Sequence, residues 1–352
     1  MVASRPLDFA GGVEQQCRRL LEGLRHLGFE AIYVPAGSLV PAWCSRLATA
    51  TRLQGMAEAL ATRGGNCLAD VVVTNGPIGW GVRGRRLSVH WYHGTYAGQA
   101  EAIRPFIRRR GYVKMRYVDS MILERLAGAG KVCVANSERT AKEVEQQFGY
   151  NCQAVWFSVD LKHFRPGPRE PHILWTMGLD LDRPVVLFVG AGRPMKGEIA
   201  VLEAAAEVRN ATWIILGERL FRANKTPSNV LLHPPVPPDF MPHLLRAVDV
   251  LVMPSLYEPA GTVAAEALAC GTPVIAAPSG TADLMTRDPA LAEWVLPDPR
   301  NSSMLARLVR KALEGGAQVR ALFAERGPAI VQPLNIRDWT RNFLETIGMS
   351  CE

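Results

Sequence analysis

Apolar residues fall into two patterns along this chain. Some form short unbroken runs closed by Pro, Gly or Asn. Others return every three or four places over longer stretches. The first pattern predicts strands buried on both faces, the second amphipathic helices. The clearest stretch runs from Val248 to Ala277. Val248 to Met253 is an apolar run closed by Pro254, and a helix from Val263 to Ala269 follows, stopped by Gly271 and Pro273. Val274 to Ala277 is the next strand. Strand, loop, helix and strand make the βαβ unit of a parallel sheet. The loop at the carboxyl end of such a strand is where open α/β sheets bind ligands.

The same alternation is predicted on both sides. Upstream, a helix from Val13 to Leu27 carries Val13, Cys17, Leu20, Leu21, Leu24 and Leu27 on one stripe. Strands are expected at Ala31 to Val34, Asp70 to Thr74, Leu87 to His93 and Lys131 to Asn136. Helices are expected at Leu47 to Leu60, Met115 to Leu126 and Thr140 to Gln147. Downstream, strands are expected at Val185 to Val189, Ala211 to Gly217 and Asn229 to His233. Helices are expected at Glu198 to Val208, Leu244 to Val248, Asn301 to Glu314 and Ile336 to Ile347.

At 352 residues the chain is too long for one ordinary core, so two domains are expected. Pro166 to Pro171 reads as the linker between them. Lys plus Arg exceeds Asp plus Glu by 40 − 33 = 7. That excess suits an anionic ligand or surface and is too small to argue for nucleic acid. No run of about 18 apolar residues predicts a membrane span, and the first residues lack the apolar core of a signal peptide. Seven scattered cysteines without paired spacing predict reduced, mostly buried thiols in a cytoplasmic protein.

Several places carry residue types suited to chemistry. Gly190, Gly192, Arg193, Lys196 and Gly197 crowd one strand-to-helix turn. A guanidinium fork and an ammonium point charge together suit a diphosphate; the plainer reading is two exposed cations beside a turn. Gly11 and Gly12 precede a helix, where bare backbone can approach a phosphate or simply turn. Glu258 and Glu266 lie eight residues apart, close enough in phase to address one side. Glu266 sits among apolar helix residues, and a nearly buried carboxylate needs donors, which sugar hydroxyls supply. The alternative is a surface glutamate. The amides of Gly261, Thr262 and Val263 open that helix and favour an anion. His93 ends a strand before Gly94, where a side chain is offered to a cleft. His90 points to the opposite strand face, which weakens a metal-pair reading. No histidine cluster has metal-ligand spacing, and Asp180 to Asp182 reads as a polar turn. Arg104 to Arg116 holds six basic residues and no acidic one. It is either a solvated face or a patch for an anionic acceptor or the inner membrane leaflet, aided by Phe106, Ile107 and Tyr112.

Glu258, seven residues, Glu266 and the following Ala267 to Ala276 resemble the E-x7-E region of retaining GT-B glycosyltransferases, chiefly glycosyltransferase family 4, or glycosyl transferases group 1. Four further stretches fall in that family's order: Gly11 to Glu14, Asn136 to Glu138, Val159 to Pro166, and Arg193 to Gly197. Three departures are visible. Pro259 and Ala260 stand where an aromatic is usual, the spacer between Arg193 and Lys196 is short, and only ten residues precede Gly11. The first strand is therefore expected to be very short, displaced or missing.

The resemblance implies an α/β GT-B fold of two facing Rossmann-like domains. It puts an acceptor-side domain at 1–165, a nucleotide-sugar domain at 172–334, and a helix over 335–352 crossing back to the first. It implies a metal-independent, retaining hexosyltransferase-type reaction from a nucleotide diphosphate sugar to an acceptor hydroxyl, with no other cofactor. Arg193, Lys196, Glu258 and His93 would act at the reacting centre. Gly11, Gly12, Gly192, Gly217, Val236, Gly261, Thr262, Val263 and Glu266 would bind the donor. The alternatives are a GT-B sugar-nucleotide epimerase and a catalytically silent partner subunit.

Overall fold

The computed structural model describes residues 1–3, 7, 11–36, 40, 69–80, 82–179, 183–220, 226–278 and 280–349. The helix expected at Leu47 to Leu60 and the turn at Asp180 to Asp182 lie outside them. The chain divides into two units, Met1–Ser158 with Ile336–Glu352, and Val159–Asn335. The change of unit therefore falls at Ser158, earlier than the boundary at 165 read from the sequence. Backbone pairing explains it. Val159 bridges in parallel to Asn335, and its amide donates to the Leu334 carbonyl at 2.8 Å. The expected linker is pinned too: Arg246 donates to Glu170 at 2.5 Å and to the Arg165 carbonyl at 3.4 Å.

The first unit holds a parallel sheet of β1 (Val2–Ala3), β2 (Val34–Pro35), β3 (Val71–Asn75), β4 (Leu87–Tyr92), β5 (Val132–Ala135) and β6 (Cys152–Ala154). Its order is β2-β1-β3-β4-β5-β6. The first strand is two residues long. Helices Gly12–His26 and Ile336–Thr346 cover one face, where Leu20, Trp91, Val134, Trp339 and Phe343 form a buried cluster. The two helices approach so closely that a Cβ on Gly23 would lie 2.0 Å from Thr340 Oγ1. The opposite face buries Tyr92, Cys133 and Ala135 against Val144 and Phe148 of helix Glu138–Phe148. The helix expected from Met115 is longer than its apolar pattern shows. It begins at Arg109, is π-wound over Lys114–Glu124 and ends at Gly128.

The second unit holds β7 (Val185–Val189), β8 (Thr212–Leu216), β9 (Val230–His233), β10 (Val250–Met253) and β11 (Val274–Ala276), all parallel. The order is β11-β10-β7-β8-β9. From β7 the chain builds outward through β8 and β9, then crosses to β10 on the other side. The loops after β7 and β10 thus meet where the order reverses, the place at which such sheets bind ligands. The helix expected at Asn301 to Glu314 continues as Ser302–Val331, broken at Gly316 (φ 45°, ψ −115°). Cys17, Cys133, Cys152 and Cys270 are free and buried. Among the described residues no helix is long and apolar enough to cross a membrane.

Candidate functional site

The loop after β7 is shaped by glycine. Gly192 and Gly197 have φ of +76° and +79°, the left-handed region that other residues resist. A Cβ on Gly197 would stand 1.9 Å from the Pro254 carbonyl oxygen. That contact is where the loop docks on the end of β10. The Leu256 amide donates to the Met195 carbonyl at 2.8 Å, beside a longer bond from Tyr257 at 3.4 Å. Glu198, almost fully buried, accepts from the Gly192 amide at 2.6 Å and fixes the loop from within. Gly217, at the end of β8, leaves room for this loop, since its Cβ would meet that of Ala191 at 2.4 Å.

The docking brings Lys196 and Glu258 together. Lys196 Nζ lies 2.5 Å from Glu258 Oε2, and the two side chains are only 20% and 12% exposed. Ser255 Oγ donates to the same oxygen at 3.3 Å, and the Gly261 amide donates to Oε1 at 3.2 Å. Three internal donors hold this carboxylate, so its orientation is set before any ligand arrives. Lys196 keeps further N–H donors for a ligand. Arg193 is exposed on the same loop, and its side chain has no partner among the described residues.

Gly261 takes φ +76° and starts helix Thr262–Ala269 without a side-chain cap, leaving the first amides for an external acceptor. Thr262 and Val263 are half-buried there, while Glu266 on the second turn is 5% exposed. Thr281 braces the turn by donating to the carbonyls of Ala260 (3.1 Å) and Gly261 (2.7 Å). Val236 is half-buried in the loop after β9. Glu198, Ser255 and Thr281 were not found from the sequence. Only Glu198 carried a signal, an acid directly after Lys196-Gly197.

In the first unit, Gly11 and Gly12 open helix Gly12–His26, again with no side-chain cap. Gln16 and Arg19 tie that helix to Ser158. The Gln16 side chain donates to the Ser158 carbonyl at 3.0 Å and accepts from its amide at 2.8 Å, and Arg19 donates to the carbonyl at 2.6 Å. His93 is half-buried directly after β4. Its ring leans on Trp91, centroids 4.2 Å apart with the planes at 45°, and its Nε2 is enclosed. Burial pushes its pKa down to about 3, so the imidazole is neutral near pH 7. The basic run is less uniform than its sequence. Lys114 pairs with Asp119 at 2.6 Å and Arg116 with Glu101 at 3.5 Å, so the fold brings in acids from neighbouring turns. Arg104, Arg108, Arg109 and Arg110 remain exposed, near exposed Val113, Tyr117 and Ile122. Among the described residues no group of three His, Cys, Asp or Glu could hold a metal ion.

Residues 172–329 match the glycosyl transferases group 1 family model. The chain is 35% identical over 184 residues to the D-inositol 3-phosphate glycosyltransferase of Segniliparus rotundus. It is 33% identical over 189 residues to that of Streptomyces bingchenggensis. These matches cover 45% and 47% of this chain and 40% and 42% of the relatives' own length. Over whole chains the fold is similar to sucrose-phosphate synthase of Thermosynechococcus elongatus, with a TM-score of 0.72, 20% identity and coverage of 97% and 96%. It is also similar to Anabaena HepE in complex with UDP and glucose, with a TM-score of 0.68, 17% identity and 98% of each chain covered. WaaG, a glycosyltransferase involved in lipopolysaccharide biosynthesis, gives 0.69, 17%, and 99% and 100%. The fold is that of the GT-B glycosyltransferases, and the second unit carries the stretch that matches glycosyl transferases group 1.

Proposed function

We propose that this chain is a retaining, family 4 type glycosyltransferase that moves a sugar from a nucleotide diphosphate sugar to an acceptor hydroxyl. The observation that carries the reading is the Lys196–Glu258 pair, built where the strand order of the second sheet reverses. It sets a cation and an oriented carboxylate beside the uncapped helix start at Gly261. A diphosphate needs the first and the last of these, and a sugar hydroxyl needs the second. HepE, a fold neighbour, was solved with UDP and glucose, which agrees with such a donor.

The bond from the sugar's anomeric carbon to the leaving phosphate oxygen breaks, and a bond to the acceptor oxygen forms on the same face. Negative charge grows on the diphosphate as this happens. Arg193 and Lys196 are set to stabilise it without a metal, which is electrostatic catalysis at the leaving group. Glu258 orients Lys196 and has lone pairs left for the sugar, and Glu266 holds the ribose. The acceptor proton passes to the leaving phosphate oxygen, and His93, kept neutral by burial, contacts the sugar or the acceptor hydroxyl. The exposed arginines from Arg104 to Arg110 give the acceptor side a cationic patch, and the cytoplasmic leaflet is the anionic surface we favour for it.

The test is turnover of UDP-glucose, UDP-N-acetylglucosamine and GDP-mannose, following release of the nucleoside diphosphate and the configuration of the product. Retained configuration from one donor is expected, with Glu266→Ala weakening donor binding more than kcat. Turnover of none of them, or an inverted product, contradicts the reading.

A further inference from the structure

Helix Glu198–Glu207 of the second unit opens on a side chain that is 1% exposed. A glutamate at a helix start ordinarily stays in water, where it complements the positive end of the helix. Glu198 instead turns back under the loop after β7, and its Oε2 accepts from the Gly192 amide at 2.6 Å. Gly192 directly precedes Arg193, and Glu198 lies two places after Lys196. The bond therefore closes the base of a seven-residue loop, Gly192 to Glu198, with both cations inside the closure.

The rest of the loop is wound tightly on that base. Pro194–Lys196 forms a 3-10 turn. The Lys196 amide donates to the Arg193 carbonyl at 3.0 Å, and the Gly197 amide to that of Pro194 at 3.3 Å. The Lys196 stem lies over Gly190, where a Cβ would stand 2.9 Å from its Cγ. Burying a carboxylate costs desolvation, and here it gains a fixed hold on the backbone beside Arg193. With the backbone held at both ends, only side-chain torsions are left to order when an anion meets the two cations. Groups set in place beforehand need no reorganisation as charge develops on a leaving group.

We propose that Glu198 is a positioning residue for the leaving diphosphate. Its bond to the Gly192 amide holds the turn that carries Arg193 and Lys196, and it touches neither donor nor acceptor. Gly192 then serves the donor through its backbone conformation, because its amide is committed to Glu198. This rests on the glycosyltransferase reading and adds to it the residue that sets the two cations.

The experiment uses the full chain and the nucleotide sugar it turns over fastest. Glu198→Met fills similar space but lacks the oxygen that accepts from Gly192, whereas Glu198→Gln keeps one. In Glu198→Met, kcat per folded protein falls about 10–100-fold, as for a catalytic group misplaced by about 1 Å, and donor KM changes by less than about threefold. Glu198→Gln keeps kcat within about threefold of wild type, because its amide oxygen still accepts the bond. In the Arg193→Ala and Lys196→Ala backgrounds, Glu198→Met costs several-fold less than in wild type, since it acts through those cations. Glu198→Ala supplies the same comparisons should the methionine variant misfold. A loss of undiminished size in both backgrounds overturns the proposal. So does a lower Tm with unchanged kcat per folded protein, which is all that a merely structural bond would give. A Glu198→Gln variant as impaired as Glu198→Met overturns it too, by making the charge and not the hold on Gly192 the agent. A wild type that turns over no nucleotide sugar overturns the underlying reading, and the proposal with it.

Discussion

At the scale of single residues, the site depends on how Lys196 and Glu258 hold each other. Either partner removed alone leaves a largely enclosed charge unmatched, which is costlier than losing both. Glu258→Gln and Lys196→Met should therefore each lower stability. The double variant should lose less than their sum, and urea unfolding of all four proteins measures the coupling. Glu124 gives a second residue-scale prediction. It is 4% exposed, and burial pushes its pKa from 4.5 up to about 8, with Asp119 and Glu143 adding to the rise. A raised folded pKa means the native state holds the proton more tightly. The stabilisation is complete below the unfolded value and is lost as pH rises through the folded one. Between pH 5 and 9 the wild type should lose on the order of 3–5 kcal/mol relative to Glu124→Gln, as urea unfolding at both pH values would show. Parallel pH profiles for the two proteins would mean that Glu124 is ionised in the fold. Arg193, Lys196, Glu258 and Glu266 were legible because charge in an otherwise Gly-rich or apolar stretch stands out.

At the scale of elements, the apolar runs located β7, β8 and β10 because strands buried on both faces leave no other pattern. The π-wound segment and the second half of Ser302–Val331 were not legible. Both follow from tertiary packing over helix-permissive residues that give no local signal. Gly23 is another such case. Within an apolar stripe it reads as a weak helix former, yet it is the point where Thr340 of the last helix seats. Gly23→Ala should destabilise the protein by about 1–3 kcal/mol through overpacking. Thr340→Ala should relieve part of that loss, because it removes the oxygen nearest the new Cβ. Thermal melts of the two single variants and the double variant test this; additive losses would place the strain elsewhere.

At the scale of the whole molecule, the two-domain division was legible from length and from the repeated strand–helix alternation. The change of unit at Ser158 was not. It depends on Val159 pairing with Asn335, residues far apart in sequence, and prolines after 165 drew the eye past it. The exposed arginines at 104–110 give a molecular prediction. Binding to anionic vesicles should be strong at low salt and weaken steeply as salt screens exposed charges. Co-sedimentation across a salt series tests it, and no binding at low salt would leave a dissolved acceptor as the partner. The central claim is that Arg193 and Lys196 stabilise the departing diphosphate. Its most direct measurement is kcat at saturating nucleotide sugar for Arg193→Ala and Lys196→Ala. Removing one preorganised donor of this kind typically costs on the order of 10²–10³ in kcat, and the account predicts a loss of that size for each, with a smaller change in donor affinity. Folded variants that both keep near wild-type kcat would contradict it.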